Sequence, residues 1–283
     1  MPTPNLGTAA FALRDASRPL LILGPSLGTS VTALWKDVVP QLADQFDVVG
    51  WDLPGHGVAG AVTPGSLDGL SIENISEAVL AIADQAQSER GDVGTPFWYA
   101  GVSVGGAVGM VLLENHPDRI AGASLICTAP KFGDPQQWLD RAEFVQAAGT
   151  PTQVIGSAQR WFSPGFINMQ EGGKQEIALR LLGSLQEADR FGYAAVARAL
   201  SNYDVTAKLG NVQAPVLVIQ GADDAVSPPS GMEPVVEAIN TNRPGSARLE
   251  VLDGVAHLAP AEAPTATANL LRDFITSEVG KGA

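Results

Sequence analysis

The segment Gly101-Val-Ser-Val-Gly-Gly places Ser103 between two glycines, each two residues away from it. An apolar run at residues 96–100 precedes the segment, and an apolar stretch of helical character follows it from Ala107. A nucleophilic serine at a sharp strand-to-helix turn needs small neighbours at these positions, and the turn directs the next N–H toward a developing oxyanion. The pattern predicts Ser103 as the nucleophile and the Val104 N–H as an oxyanion donor.

A second segment, Gly24-Pro-Ser-Leu-Gly, fits the same short pattern around Ser26. Pro25 has no N–H, and the chain continues through Gly28-Thr-Ser as a loop rather than a helix, so this context is wrong for a nucleophile. Folds that use such a turn draw a second oxyanion donor from the loop after an early strand. We therefore interpret the Leu27 N–H as that donor and Ser26 as a candidate for the pocket wall.

A serine nucleophile needs a base whose pKa lies at about 7, which favours histidine. The chain has three. His116 precedes Pro117, where a role at the end of a helix is the better interpretation, and His56 lies in a turn-rich loop, where it is expected to make structural hydrogen bonds. His257 follows the last apolar run, which is the place in the chain order where the base is expected.

The acid that orients the imidazole must lie between the nucleophile and the base in the sequence. Asp223 and Asp224 follow an apolar run at residues 215–219. Adjacent side chains point in different directions, so only one of them can meet His257. Asp224, three residues after Gly221 and four before Pro228, is the predicted acid, and Asp223 is the predicted solvated neighbour.

These residues follow a series of short apolar runs that read as strands at residues 20–23, 47–51, 96–100, 123–127, 215–219 and 248–252. Most of the runs are apolar at consecutive positions, as strands covered on both faces are, and a helical pattern of Ile72, Ile75, Val79 and Ile82 lies between two of them. A final helix is expected over residues 261–279. The alternation predicts an α/β fold with a mainly parallel sheet flanked by helices.

The alternation stops between about Lys131 and Leu209, where helix-compatible stretches at residues 135–148 and 174–200 dominate. We interpret residues 131–209 as an inserted helical cap and residues 1–130 and 210–283 as the core domain. Extra helices beside the sheet, without a separate cap, are the alternative.

The composition limits the classes of partner. The chain carries 17 Lys and Arg against 30 Asp and Glu, a formal net charge of −13 that disfavours nucleic acid as a partner. No apolar run long enough for a membrane helix and no signal-peptide pattern is visible, so a cytoplasmic location without membrane association is expected. The single cysteine, Cys127, lies in an apolar run and is expected to be buried in a strand. The oligomeric state stays open.

Taken together, the segments resemble the 3-oxoadipate enol-lactonase family of α/β-hydrolases over most of the chain. The segments that carry the resemblance are Ser26-Leu-Gly-Thr with Trp35, Asp52-Leu-Pro-Gly-His-Gly, Asn115-His-Pro-Asp-Arg-Ile, Cys127-Thr-Ala-Pro-Lys-Phe-Gly with Trp138 and Arg141, Arg160-Trp-Phe-Ser-Pro and Gly192-Tyr-Ala-Ala. The sequence departs from the family's usual pattern at Pro25, where Asn or His is frequent, and at Val104, where Met or Gln is common.

The resemblance implies hydrolysis of a small anionic lactone through an acyl-enzyme, with no metal and no organic cofactor. The carboxylate of such a substrate needs a cation, and the spacing of Trp138 and Arg141 places both on one helix face. Lys131 is a second candidate cation. The structural alternative is that Trp138 belongs to the core and Arg141 to a surface ion pair.

Two other functions remain open on the sequence alone. An enzyme with the same three catalytic residues could act on another ester or cleave a carbon–carbon bond. A non-catalytic ligand-binding relative is disfavoured, because such a protein is expected to lack the nucleophile, the acid or the base.

Overall fold

The computed structural model describes residues 3–168 and 173–282, which form one seven-stranded sheet. Its strands are β1 (Gly7–Ala12), β2 (Leu20–Gly24), β3 (Asp47–Asp52), β4 (Phe97–Val102), β5 (Ile120–Ile126), β6 (Val216–Gly221) and β7 (Ala247–Leu252). They lie in the order β1-β3-β2-β4-β5-β6-β7, and β1 alone pairs antiparallel with its neighbour. The predicted α/β class with a mainly parallel sheet is confirmed.

The helices connect these strands and cover the sheet. They are α1 (Val31–Leu34), α2 (Ile72–Arg90), α3 (Val104–Asn115), α4 (Pro135–Ala148), α5 (Val154–Trp161), α6 (Lys174–Glu187), α7 (Arg190–Ser201), α8 (Glu233–Asn242), α9 (Ala259–Glu262) and α10 (Pro264–Gly282). No helix among the described residues has the length and apolar character needed to span a membrane.

Two neighbouring aromatic residues of β4 show how the sheet is covered on both faces. Tyr99 donates its hydroxyl proton to the Gly105 carbonyl of α3 at 2.7 Å. Trp98 makes an edge-to-face contact with Phe274 of α10, at a centroid distance of 5.6 Å. Because successive strand residues point to opposite faces, α3 and α10 lie on opposite sides of the sheet. This sandwich explains why β4 is buried along its whole length.

All six predicted strands are present, but β1 was missed. Its sequence, Gly-Thr-Ala-Ala-Phe-Ala, is dominated by small residues, and it lies partly exposed at the edge of the sheet. The small residues gave no clear strand signal, and pairing with β3 supplies the structure instead. Cys127 is buried as expected, but it lies just beyond β5, with φ 45°.

Two predicted helices are each divided in the structure. The stretch at residues 174–200 splits into α6 and α7 because Asp189 caps a new helix, accepting hydrogen bonds from the N–H groups of Phe191 and Gly192, each at 2.9 Å. The last helix begins again at Pro264, whose missing N–H suits the first position of a helix.

Helices α4 to α7 all lie between β5 and β6 in the chain, and α4 packs along α7. We propose on this basis the division into a core of residues 1–130 and 210–283 and a cap of residues 131–209. Residues 1–2, 169–172 and 283 of these ranges lie outside the described residues.

Candidate active site

Ser103 occupies the sharp turn between β4 and α3 that its sequence context predicts. Its backbone has φ 56° and ψ −116°, a conformation that non-glycine residues rarely adopt and that costs free energy. A Cβ atom on Gly101 would lie 2.3 Å from the Gly105 carbonyl oxygen, and one on Gly105 would lie 2.6 Å from the Pro25 carbonyl oxygen. Both glycines are therefore required for this turn to close.

The loop that contains Ser26 and Leu27 lies directly against this turn. The Gly105 N–H donates to the Pro25 carbonyl at 3.0 Å, which ties the loop to the start of α3. The loop itself is a tight turn, in which Thr29 N–H donates to the Ser26 carbonyl at 3.0 Å and Gly28 has φ 88°. Ser26 is buried in this loop and does not occupy a strand-to-helix turn.

The two predicted oxyanion donors lie on neighbouring segments. Val104 is the first residue of α3, and Leu27 belongs to the loop tied to that helix. Neither N–H donates to another residue within the described parts of the chain. Backbone N–H groups at a helix N-terminus are suited to bind a negative oxygen.

His56 is hydrogen-bonded to the loop that contains Leu27 and Gly28. Its Nε2 accepts a hydrogen bond from the Gly28 N–H at 3.1 Å, and its Nδ1 lies 2.9 Å from the Pro54 carbonyl, to which it donates. Burial lowers the pKa of His56 to about 4, so the ring is neutral at neutral pH and can accept at Nε2. The expected structural role of this histidine is confirmed.

Asp224 and His257 form a buried pair beyond the carboxyl ends of β6 and β7. Asp224 Oδ2 lies 2.9 Å from His257 Nδ1, and both side chains are almost fully buried. The other carboxylate oxygen, Oδ1, accepts hydrogen bonds from Val226 N–H at 2.8 Å and Ser227 N–H at 3.0 Å. Asp223 is exposed. The structure thus joins to His257 the aspartate that the sequence predicted.

The remaining histidine lies elsewhere. His116 ends α3, where its N–H donates to the Leu112 carbonyl, and its Nε2 lies 2.7 Å from the Glu77 carboxylate. This agrees with the role expected at a helix end.

Trp161, the last residue of α5, touches both halves of the site. Its carbonyl accepts a hydrogen bond from the His257 N–H at 3.2 Å. Its ring lies so close to Gly28 that a Cβ atom there would be 3.2 Å from the indole, and Leu185 of α6 approaches the same position within 2.6 Å. Residues of the inserted helices therefore cover the loop that contains Leu27 and Gly28 and contact the loop of His257.

Trp138 and Arg141 share one face of α4, as their spacing predicted. The Arg141 guanidinium carbon lies 4.6 Å from the centre of the Trp138 ring, and the indole N–H donates to the Phe132 carbonyl at 2.8 Å. Both side chains are partly buried. Arg141 forms no salt bridge with any residue that the structure describes, so the surface ion pair considered as an alternative is not present there.

A second arginine, Arg160 of α5, lies close to Arg141, and sequence reasoning did not single it out as a site residue. Burial, and then the nearby charge of Arg141, lower the pKa of Arg160. Burial raises the pKa of the Tyr193 hydroxyl, and the nearby charges of Arg141 and Arg160 oppose this rise, so both arginines lie near Tyr193. The sequence signal that could have identified Arg160 is the segment Arg160-Trp-Phe. In this segment Trp161 contacts the candidate active site, and Arg160 lies near Tyr193.

Tyr193 connects the two arginines to the loop that contains Leu27 and Gly28. Its ring stacks on His56, with a centroid distance of 6.2 Å and an interplanar angle of 21°. A Cβ atom on Gly192 would lie 2.3 Å from the Pro54 carbonyl oxygen, so α7 approaches the His56 loop as closely as a backbone can. The cluster of Arg141, Arg160 and Tyr193 is therefore connected to Gly28 through the ring of His56.

Lys131 differs from Arg141 in its surroundings. Its side chain is half exposed and pairs with Asp204 at 3.1 Å. The charge of this lysine is thus already partnered and in contact with solvent.

No group of three or more His, Cys, Asp or Glu residues within the described ranges is arranged to hold a metal ion.

Comparison with known proteins agrees with this fold. A family model for the alpha/beta hydrolase fold matches residues 19–264. The chain is 32% identical over 253 residues to 3-oxoadipate enol-lactonase 2 of Acinetobacter baylyi, covering 89% of this chain and 86% of the relative. It is 29% identical over 259 residues to 3-oxoadipate enol-lactonase 1 of the same organism, covering 92% and 89%.

Solved structures include similar chains. The enol-lactonase from Burkholderia xenovorans superimposes with a TM-score of 0.84 at 25% identity, covering 96% of each chain. A hydrolase from Pseudomonas aeruginosa gives a TM-score of 0.82 at 29% identity, covering 95% of this chain and 94% of the other. This protein is therefore a carboxylic ester hydrolase, and its chain belongs to the 3-oxoadipate enol-lactonase family of the α/β-hydrolases.

Proposed function

We propose that this protein opens the ring of 3-oxoadipate enol-lactone, or of a closely similar small lactone with a carboxylate, by acyl-enzyme chemistry. Ser103 is the nucleophile, His257 the base and Asp224 the acid that orients it. The observation that carries the substrate assignment is the pair of partly buried arginines, Arg141 and Arg160, that lie close to each other and to Tyr193, whose ring stacks on His56 beside the Leu27 loop.

The first chemical step is attack of Ser103 Oγ on the lactone carbonyl. As the bond to carbon forms, the serine proton passes to His257 Nε2, and Asp224 stabilises the imidazolium through Nδ1–H. Three hydrogen bonds, from His257, Val226 and Ser227, hold the Asp224 carboxylate in one orientation. Because this carboxylate is fixed before the reaction, little reorganisation is needed when the imidazole becomes charged.

The N–H groups of Leu27 and Val104 bind the oxygen that becomes negative in the tetrahedral intermediate. Loss of one such donor typically costs about 3 kcal/mol of transition-state stabilisation. The intermediate collapses when the ring C–O bond breaks, and the enol oxygen leaves with a proton from His257. A water molecule activated by His257 then cleaves the ester to Ser103 and restores the enzyme, and the enol tautomerises to the ketone of the 3-oxo acid.

The substrate carboxylate is assigned to Arg141 and Arg160. Two partly buried cations without an acidic partner in the described ranges repel each other, and a bound carboxylate relieves this repulsion while it accepts charge-assisted hydrogen bonds. The Tyr193 hydroxyl can act as a further donor. Trp138 packs against the Arg141 guanidinium and holds it in place. Lys131, paired with Asp204 near solvent, is the weaker candidate.

The substrate assignment is tested with 3-oxoadipate enol-lactone and a neutral short-chain ester such as p-nitrophenyl acetate. The loss of lactone absorbance and the release of p-nitrophenolate give kcat and KM for each compound. We expect kcat/KM to be much higher for the lactone. The opposite preference would leave a hydrolase whose natural ester lacks the carboxylate, and would remove the arginine argument.

A further inference from the structure

Glu262 of α9 lies in contact with two segments of the candidate site. Its Oε2 accepts a hydrogen bond from the Ser163 N–H at 2.8 Å, and its Oε1 accepts one from the Ala256 N–H at 2.8 Å. Ser163 follows α5 in the inserted region, whereas Ala256 directly precedes His257 in the core. One carboxylate thus bridges the insertion and the loop of the catalytic base.

A second contact joins the same two segments. The His257 N–H donates to the Trp161 carbonyl at 3.2 Å, two residues before Ser163. Residues 161–163 and 256–257 are therefore held together at two points, one direct and one through Glu262. Because Trp161 also packs against Gly28, this junction reaches both His257 and the loop that contains Leu27 and Gly28.

Only an ionised carboxylate satisfies both donors equally. Each oxygen of Glu262 faces one backbone N–H, and a neutral amide in its place would present an NH₂ group to one of them. That arrangement sets two donors against each other and leaves one buried N–H unpaired, which is costly. Burial raises the pKa of Glu262, and the two N–H donors oppose that shift.

We propose that Glu262 is a positioning residue for catalysis, which fixes the His257 imidazole and the Trp161 ring relative to Ser103. The inference rests on the proposed function, in which His257 is the base. Glu262 accepts the N–H beside His257, and the Trp161 carbonyl accepts that of His257 itself, so both peptide groups before the imidazole are anchored to the insertion. Loss of the Glu262 bridge removes one of the two links between residues 161–163 and residues 256–257, while Asp224 still holds the imidazole through Nδ1.

The test compares Glu262→Gln with Glu237→Gln, a matched change at an exposed position on α8. We expect Glu262→Gln to lower kcat by roughly 10- to 100-fold with the lactone and with p-nitrophenyl acetate, because small misplacements of catalytic groups have effects of this size. KM should change by less than about 3-fold, because the arginine cluster is untouched. Glu237→Gln should leave both constants as in the wild type.

A second measurement, amide hydrogen–deuterium exchange, tests directly whether Glu262 protects the two backbone N–H groups that it accepts. Peptides that contain Ser163 and Ala256 should exchange faster in Glu262→Gln than in the wild type, while peptides from α2 stay unchanged. Unchanged exchange at these two segments overturns the inference. So does a lower melting temperature of Glu262→Gln with an unaltered kcat, since that describes a purely structural residue.

The two readouts separate this inference from the proposed function. If the wild type hydrolyses neither substrate, the proposed function fails and takes the catalytic role of Glu262 with it, while the exchange experiment still shows whether the bridge exists. If the wild type is active but Glu262→Gln keeps its full kcat, the proposed function stands and the positioning role is wrong.

Discussion

The Gly28 N–H donates a hydrogen bond to Nε2 of His56 at 3.1 Å, and the same ring stacks on Tyr193. One buried imidazole therefore connects the loop of the proposed oxyanion donor Leu27 with the tyrosine at the centre of the arginine cluster. This contact requires the neutral ring, since a protonated Nε2 would be a donor facing another donor. The contact between the Leu27 loop and the proposed substrate-binding cluster thus depends on the protonation state of His56.

This requirement predicts a pH effect on stability. Because burial lowers the pKa of His56 from 6.5 to about 4, the unfolded chain binds a proton at this residue more readily than the folded one between those values. The free energy of unfolding should therefore fall as the pH drops from 6.5 toward 4. His56 should account for a loss of about 2 kcal/mol at pH 5.

Urea unfolding at pH 7 and pH 5 checks this expectation for the wild type and for His56→Asn, in which the residue no longer titrates. The difference between the two pH values should be smaller in the variant by about that amount, since the other titrating groups contribute to both proteins. An equal pH dependence in the two proteins would show that His56 is protonated as easily in the folded state as in the unfolded one.

The pair of adjacent aspartates provides a test with an internal control. Asp224→Asn should lower kcat by roughly 10³- to 10⁴-fold, because an amide in place of the carboxylate favours the wrong imidazole tautomer. Asp223→Asn, at the exposed neighbour, should change kcat by less than about 3-fold. Steady-state kinetics with p-nitrophenyl acetate suffice. Loss of activity in the second variant with retention in the first would assign the acid to Asp223.

The arginine cluster predicts a charge-dependent effect on substrate binding. Arg141→Met and Arg160→Met should each raise KM for the enol-lactone by roughly 10- to 100-fold, the range expected for a lost charge-assisted hydrogen bond. The neutral ester should be affected by less than about 3-fold. Lys208→Met is the control for loss of a positive charge, because this exposed lysine pairs with Glu114.

Comparison with Lys131→Met decides between the candidate cations. If Lys131→Met raises KM for the lactone more than either arginine variant does, the carboxylate belongs to Lys131. An equal effect of an arginine variant on the acid and on the neutral substrate would mean that the arginine acts through packing rather than charge.

The nucleophile is tested by Ser103→Ala. Loss of the hydroxyl should reduce kcat by roughly 10⁴-fold or more while the melting temperature stays close to that of the wild type, as found when a triad member is removed. Ser277→Ala, at an exposed serine of α10, is the matched control. Full activity in Ser103→Ala with loss in Ser26→Ala would move the nucleophile to the other serine.

The sequence was sufficient for the parts of the site that rest on local geometry and chain order. The turn at Ser103 follows from glycines at positions where a side chain would clash, and Asp224 and His257 follow from their places after the last two strands. These elements are specified by neighbouring residues, so a single sequence reveals them.

The parts that the sequence did not reveal depend on contacts between distant segments. Tyr193 reaches His56 because Gly192 lets α7 approach the Pro54 carbonyl, and no local pattern in either segment records this approach. No local sequence pattern indicates Glu262 either, because its two hydrogen-bond partners lie on different segments. The edge strand β1 was missed because its small residues carry little strand propensity and its pairing is tertiary.

The central claim, that Ser103 attacks the substrate, is tested most directly by covalent labelling with a fluorophosphonate followed by peptide mass spectrometry. In this reaction the serine oxygen displaces fluoride from phosphorus, and the base accepts the proton. The account predicts one adduct per chain, on the peptide that contains Ser103, and its absence in Ser103→Ala. An adduct on the peptide that contains Ser26, or no adduct in an active enzyme, would contradict it.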